Sequence, residues 1–317
     1  MFRATPVGEK SKLRRKKLWS QRELQFMVIP GIIFVLIFSY LPMYGVIMAF
    51  QEYRLGDFPG MSSWVGLRFF REFLNSREFP IVMRNTFILA FYKILFCFTL
   101  PIVFALILNE VRHSVFKRSV QTISYIPHFI SWVVVAGITF DFLSVDGGAL
   151  NSILMSLNLI ERPIMFMGEP SYFRPILIIT ELWKDMGWNS IIYIAAISSI
   201  DVGQYESADI DGANRLQKAW YITLPGIRPT ITILLILAVG NLMNSGFEQI
   251  LLLTNNLNNT MVARVSNVLD IFAFSTGIRH GRISYATAIG LFRSVISVVL
   301  LVSANFFAKR MNGESLF

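Results

Sequence analysis

The chain has 317 residues, 54% of them hydrophobic, with 28 Phe and a mean hydropathy of +0.55. Only 15% are charged, against roughly 25% in soluble domains, which excludes an ordinary soluble fold and points to a polytopic membrane protein. The net charge of +9 is no nucleic-acid signature, because Arg3, Lys10, Lys12, Arg14, Arg15, Lys16, Lys17 and Arg22 all precede the first hydrophobic stretch. There they fit the positive-inside rule and attraction to anionic lipid headgroups.

A helix needs about 20 apolar residues to cross the hydrocarbon. Six segments meet that length: 26–50, 81–108, 119–143, 172–200, 229–254 and 286–308. No alternating barrel pattern is present, so an all-α integral membrane protein with six transmembrane helices is expected. The first segment is too long for a signal-peptide core and lacks an A-x-A cleavage pattern, so it is read as a retained helix. Placing both termini in the cytoplasm puts Arg112, Lys117, Arg118, Arg215, Lys218, Arg228, Lys309 and Arg310 inside, while the outer loops mix arginines with acids. The expected division is a basic segment 1–25, a first helix and outer loop 26–80, a core 81–308 with a cytoplasmic loop 201–228, and a tail 309–317.

The outer loops carry few local signals. Residues 51–80 hold Trp64, Phe69 and Phe70, suited to a membrane interface. Asp146-Gly147-Gly148 marks a turn before a short helix expected over Asn151 to Ile160. Residues 255–285 mix Asn255, Asn256, Asn258 and Asn259 with Arg264, Arg279 and Arg282. The lone Cys97 excludes an intrachain disulfide, and His113, His128 and His280 lack ligand spacing, so no metal site is expected.

Ionisable side chains inside spans are costly and mark either bracing contacts or a pathway. Span four carries Glu181, Lys184, Asp185, Trp188 and Asn189; Glu181 and Lys184, three apart, are spaced to pair. Span five carries Asn241, Asn244 and Glu248 on one stripe, and Arg293 of span six stands at a level where it meets Glu248. Lys184, Trp188, Asn189, Asn241, Asn244, Glu248 and Arg293 are therefore candidate pathway residues, with interhelical bracing as the competing reading. Lys93 in span two has no evident partner.

The loop 201–228 is polar and helix-forming between two hydrophobic spans. Asp201 is placed to cap a helix, Gly212 to bend the chain and Pro225 to stop a second helix. Glu206-Ser207-Ala208, Asp211-Gly212-Ala213 and then Ile222-x-Leu224-Pro225 resemble the EAA loop of permease subunits in binding-protein-dependent ABC importers, with Ser207 in place of the usual Ala. Asn85-Thr86, Pro127 and Ala286 to Leu291 look like the sugar importers of that family. Ile126 to Trp132 with Asp146-Gly147-Gly148 look like the branch for polysaccharide-derived oligosaccharides, and the resemblance covers roughly residues 20–310.

That resemblance implies a type I ABC importer permease of the bacterial cytoplasmic membrane. Glu206, Ser207, Ala208, Asp211, Gly212, Ala213, Leu224 and Pro225 would form the coupling loop. The implied partners are a second permease, two cytoplasmic ATPase subunits, an extracytoplasmic solute-binding protein, an oligosaccharide and membrane lipid, with no nucleic acid. The sequence has no G-x-x-x-x-G-K-[ST] loop, so ATP and Mg are expected on the ATPase subunits and no cofactor or catalysis in this chain. A secondary transporter and a non-transporting membrane scaffold are the alternative classes. Arg264, Arg279, Arg282 and Arg293 make an acidic oligosaccharide conceivable.

Overall fold

The computed structural model describes residues 21–54 and 56–312. Most of the expected basic segment and the last five residues of the tail lie outside them. The chain divides into two compact units, one ending at Arg68 and one starting at Phe69.

The first unit is built on helix α1 (Arg22–Phe50). Pro30 sits inside it, and the backbone widens into a π turn at Leu36–Tyr40 before tightening to 3₁₀ geometry at Tyr44–Phe50. None of its most apolar window is buried within the chain, so this face is free for lipid or a partner. Beyond it, Gln51 and Trp64 form an antiparallel bridge, and Phe50 stacks on Trp64 with ring centroids 5.6 Å apart.

The second unit holds α2 (Arg68–Leu74, its first residue closing the previous unit), α3 (Glu78–Glu110), α4 (Ser114–Phe129) and α5 (Trp132–Leu143). The short α6 (Ala149–Ser156) and the long α7 (Pro170–Ser198) follow. Next come α8 (Val202–Ile210), α9 (Arg215–Gly226), α10 (Arg228–Gly240) and α11 (Phe247–Leu253). The chain closes with α12 (Ala263–Ser266), α13 (Leu269–Phe274) and α14 (Ile283–Asn312). Helices α1, α3 and α14 are each long and apolar enough to cross a membrane, and α4–α5 and α9–α10 qualify as bent pairs. α7, with 29 residues, has the length (about 44 Å at 1.5 Å per residue) but carries several charges.

Each predicted span coincides with helix, but two are broken. Span three bends by 101° between α4 and α5: Pro127 opens a 3₁₀ turn, and Ser131 caps the new helix by accepting from Val134 N. Span five stops at Gly240 and restarts after Gly246, which holds φ +79°, so Asn241, Asn244 and Glu248 do not share one continuous helix. The segment 255–285 is more than a loop. Val268, Leu269 and Ile271 are buried against α3, α5, α7 and α11 in the larger core cluster or beside it. A second cluster of Ile102, Ala105, Tyr193, Ile197 and Ile227 joins the far ends of α3 and α7 to the base of α9–α10.

In a membrane, packing and buried polar contacts hold helices together, because lipid offers no water to satisfy exposed groups. Asn85 of α3 donates to the carbonyls of Arg264 and Asn267 at 2.9 and 3.1 Å and accepts from Arg174 of α7 at 2.8 Å. Thr86 accepts from Leu269 N, and Gln249 donates to the Leu177 carbonyl at 2.7 Å. Asn151 staples the turn before α7 to the carbonyls of Ser144 and Ile164. The helix holding it ends at Ser156, short of Ile160, with Asn158 in the left-handed region.

Candidate functional site: a braced hairpin and a polar seam

The hairpin α8–α9 is held by its own chemistry. Asp201 caps α8, its carboxylate accepting from Gly203 N at 3.0 Å. Gly212, at φ +78°, ends it: Ala213 N donates to the Ala208 carbonyl at 2.9 Å and Gly212 N to the Asp209 carbonyl at 3.2 Å, a Schellman closure. Asn214 and Gln217 then form a capping box that starts α9. Lys218 Nζ reaches Asp209 at 2.6 Å, and the Tyr205 hydroxyl meets Thr223 Oγ1 at 2.9 Å, so the two helices brace each other.

The hairpin's base is anchored and its tip is bare. Ile200 and Leu224 pack onto the cluster of Tyr193, Ile197 and Ile227, and a Cβ on Gly226 would stand 2.7 Å from Ile200 Cδ1. At the other end Ile210 is 88% and Leu216 81% exposed, with Trp220, Tyr221 and Glu206 also open. An exposed apolar face on a short polar hairpin is a candidate contact surface. Of the expected loop residues, Glu206, Ser207, Asp211, Gly212 and Pro225 are exposed, whereas Ala208, Ala213 and Leu224 are partly covered.

The second feature is a seam between α3 and α7. Lys93 opens a π turn in α3 (Lys93–Phe98), followed by Pro101, whose missing N–H leaves the Cys97 carbonyl without its usual donor. Lys93 Nζ lies 2.7 Å from Glu181 of α7, and a Cβ on Gly246 would stand 2.9 Å from that ammonium. The pair therefore sits at the break of span five. A cavity of about 470 Å³ opens beside it, lined by Lys93, Glu181, Cys97, Tyr193, Asn189, Asn241 and Asn244.

The expected pathway residues separate into two groups. Asn189, Asn241 and Asn244 line this cavity. Trp188 and Glu248 are exposed but outside its lining; Trp188 stacks on His128 with centroids 4.4 Å apart and planes at 2°. Lys184 is 7% exposed, and its ammonium donates to the carbonyls of His128 at 2.5 Å and Ile130 at 2.7 Å, with Pro127 at 3.5 Å. It caps the broken end of span three, where the carbonyls left by the bend and the negative helix end both need a cation.

Two pairings differ from those expected along the sequence. Glu181 pairs with Lys93 instead of Lys184, which gives Lys93 its partner. Arg293 pairs with Asp270 instead of Glu248. Asp270, 8% exposed, also accepts from Ser245 N at 3.3 Å and so supports the break of span five from its other side. Sequence reading missed Asp270; its signal was one acid inside the apolar run Val268 to Phe274.

Residues 97–313 match the model of the family described as binding-protein-dependent transport system inner membrane component. The Bacillus subtilis protein LplB is 44% identical over 93% of this chain and 91% of its own. The polygalacturonan/rhamnogalacturonan transport system permease protein YteP of the same organism is 40% identical over 98% and 94%. A chain of a bacterial ABC transporter involved in import of the acidic polysaccharide alginate superposes with TM-score 0.85 at 38% identity, covering 94% of this chain and 98% of that one. The chain belongs to the binding-protein-dependent transport system inner membrane components and has the type I ABC importer permease fold.

Proposed function

We propose that this permease carries oligosaccharides, acidic ones included, across the bacterial cytoplasmic membrane as one half of the membrane part of an ATP-driven importer. Its partners are a second permease, two ATPase subunits that bind ATP and Mg and hydrolyse the nucleotide, and an extracytoplasmic solute-binding protein. The solved alginate importer bound to its pentasaccharide-loaded periplasmic protein, 37% identical to this chain, supports that assembly. The polygalacturonan/rhamnogalacturonan relative supports the substrate class. The same reading takes six crossings with both termini inside, the basic segment 1–25 and the tail 309–317 flanking the core 81–308, and α8–α9 on the cytoplasmic side.

One observation carries the mechanism: the α8–α9 hairpin is internally locked and anchored through Ile200, Leu224 and Ile227, yet its apolar tip is open. Glu206 and the exposed Ile210 and Leu216 dock in an ATPase groove. Closure of the ATPase pair pushes the hairpin as a rigid lever, which turns α7 and α10 with it. α7 carries Asn189, and Asn241 and Asn244 follow directly on the end of α10, so the motion opens and closes the cavity whose amides hydrogen-bond sugar hydroxyls.

The test is Gly212→Val. A β-branched residue at φ +78° costs about 1–2 kcal/mol of local strain, while open space around the Cβ position spares the rest of the fold. In proteoliposomes the variant is expected to assemble with its partners, retain ATPase activity and lose uptake. Uptake at the wild-type level removes the hairpin from the coupling path.

A further inference from the structure

A second cavity, of about 720 Å³, lies on the same α3–α7 seam toward the Pro170 end of α7. Its wall combines the aromatic rings of Tyr92 and Phe96 with the Ser171 hydroxyl and the Arg174 guanidinium. Arg174 donates to one neutral acceptor, Asn85 Oδ1 at 2.8 Å, and its buried Nε has no hydrogen-bond partner. Arg84, exposed and next to Asn85 on α3, stands within charge–charge range of Arg174. Among the described residues neither arginine has a carboxylate partner, whereas Lys93, Lys218, Arg282 and Arg293 all do.

The two guanidinium groups repel each other, and Arg174, on the wall of an apolar cavity, is costly without an anion. Arg174 precedes Glu181 by seven residues and Asn85 precedes Lys93 by eight, so this cationic step lies roughly 10–12 Å from the Lys93–Glu181 pair along two helices running side by side. An anion moving down the seam would meet this step before it reaches the Lys93–Glu181 pair. We propose that Arg84 and Arg174 read the carboxylates of an acidic oligosaccharide as it enters, while Tyr92 and Phe96 offer faces to its sugar rings. This inference rests on the chain being an oligosaccharide permease.

The experiment is ATP-driven uptake by the complete transporter in proteoliposomes, comparing a trigalacturonide with its fully methylated ester, which has the same sugar backbone and is uncharged. Arg84→Gln and Arg174→Gln are each expected to lower the acid-to-ester uptake ratio about tenfold, the scale of one lost charge-assisted hydrogen bond. Arg174→Lys keeps much of the ratio. The binding protein's own preference is common to wild type and variants and cancels. Equal loss of both substrates makes the arginines structural and overturns the proposal. So does an unchanged ratio, with the oligosaccharide reading left standing. If the wild type takes up neither compound, that reading falls together with this one.

Discussion

Lys184→Met isolates the brace at the break in span three. The thioether stem fills nearly the same volume, so the change removes an ammonium and leaves the carbonyls of His128 and Ile130 without their donor. With lipid and protein around them, no water replaces it. Each unsatisfied buried carbonyl costs about 1–3 kcal/mol, and relief of the buried ammonium's own desolvation offsets part of that. The net is a destabilisation of about 2–4 kcal/mol, equivalent to at least a tenfold shorter half-life of the purified complex at a fixed denaturing temperature. The assay is size-exclusion monitoring of the intact complex over time at that temperature, beside uptake by the surviving fraction. Per surviving complex, uptake is expected to stay near wild type. A variant as durable as wild type that loses uptake of one sugar and keeps another would refute the bracing role and return Lys184 to the substrate pathway.

Two other substitutions probe the packing by the same measure of durability. Lys93→Met strands Glu181 and Glu181→Gln strands Lys93, each costing roughly 3–5 kcal/mol, whereas the double variant is expected to recover most of the loss; strictly additive losses would show that the two side chains act independently. At Gly187 an added Cβ would stand 2.2 Å from the Ser124 carbonyl oxygen, while at Gly137 it meets nothing within 4 Å. Gly187→Ala should therefore force α7 from α4 and cost about 1–3 kcal/mol, with Gly137→Ala near neutral. Equal behaviour of the two would contradict the close approach of α4 and α7.

What the sequence by itself determined is what local chemistry encodes. Hydrophobic runs of about 20 residues located the long helices, since apolar length is written along one helix. The hairpin was legible for the same reason: Asp201 and Gly212 act on backbone groups within a few residues of themselves. Its resemblance to the importer permeases also stood in contiguous residues. The charge pairs were not legible, because Lys93 meets Glu181 and Asp270 meets Arg293 only once helix rotation and depth are fixed by packing. Spacing of three residues made Glu181 and Lys184 look like partners, yet they serve different neighbours, one at the break of span five and the other at the break of span three. Only the tertiary structure decided that Asn189, Asn241 and Asn244 line a cavity while Lys184 and Arg293 hold broken helices in place. A charge buried in a membrane must find its partner in three dimensions, and sequence separation does not limit where that partner comes from.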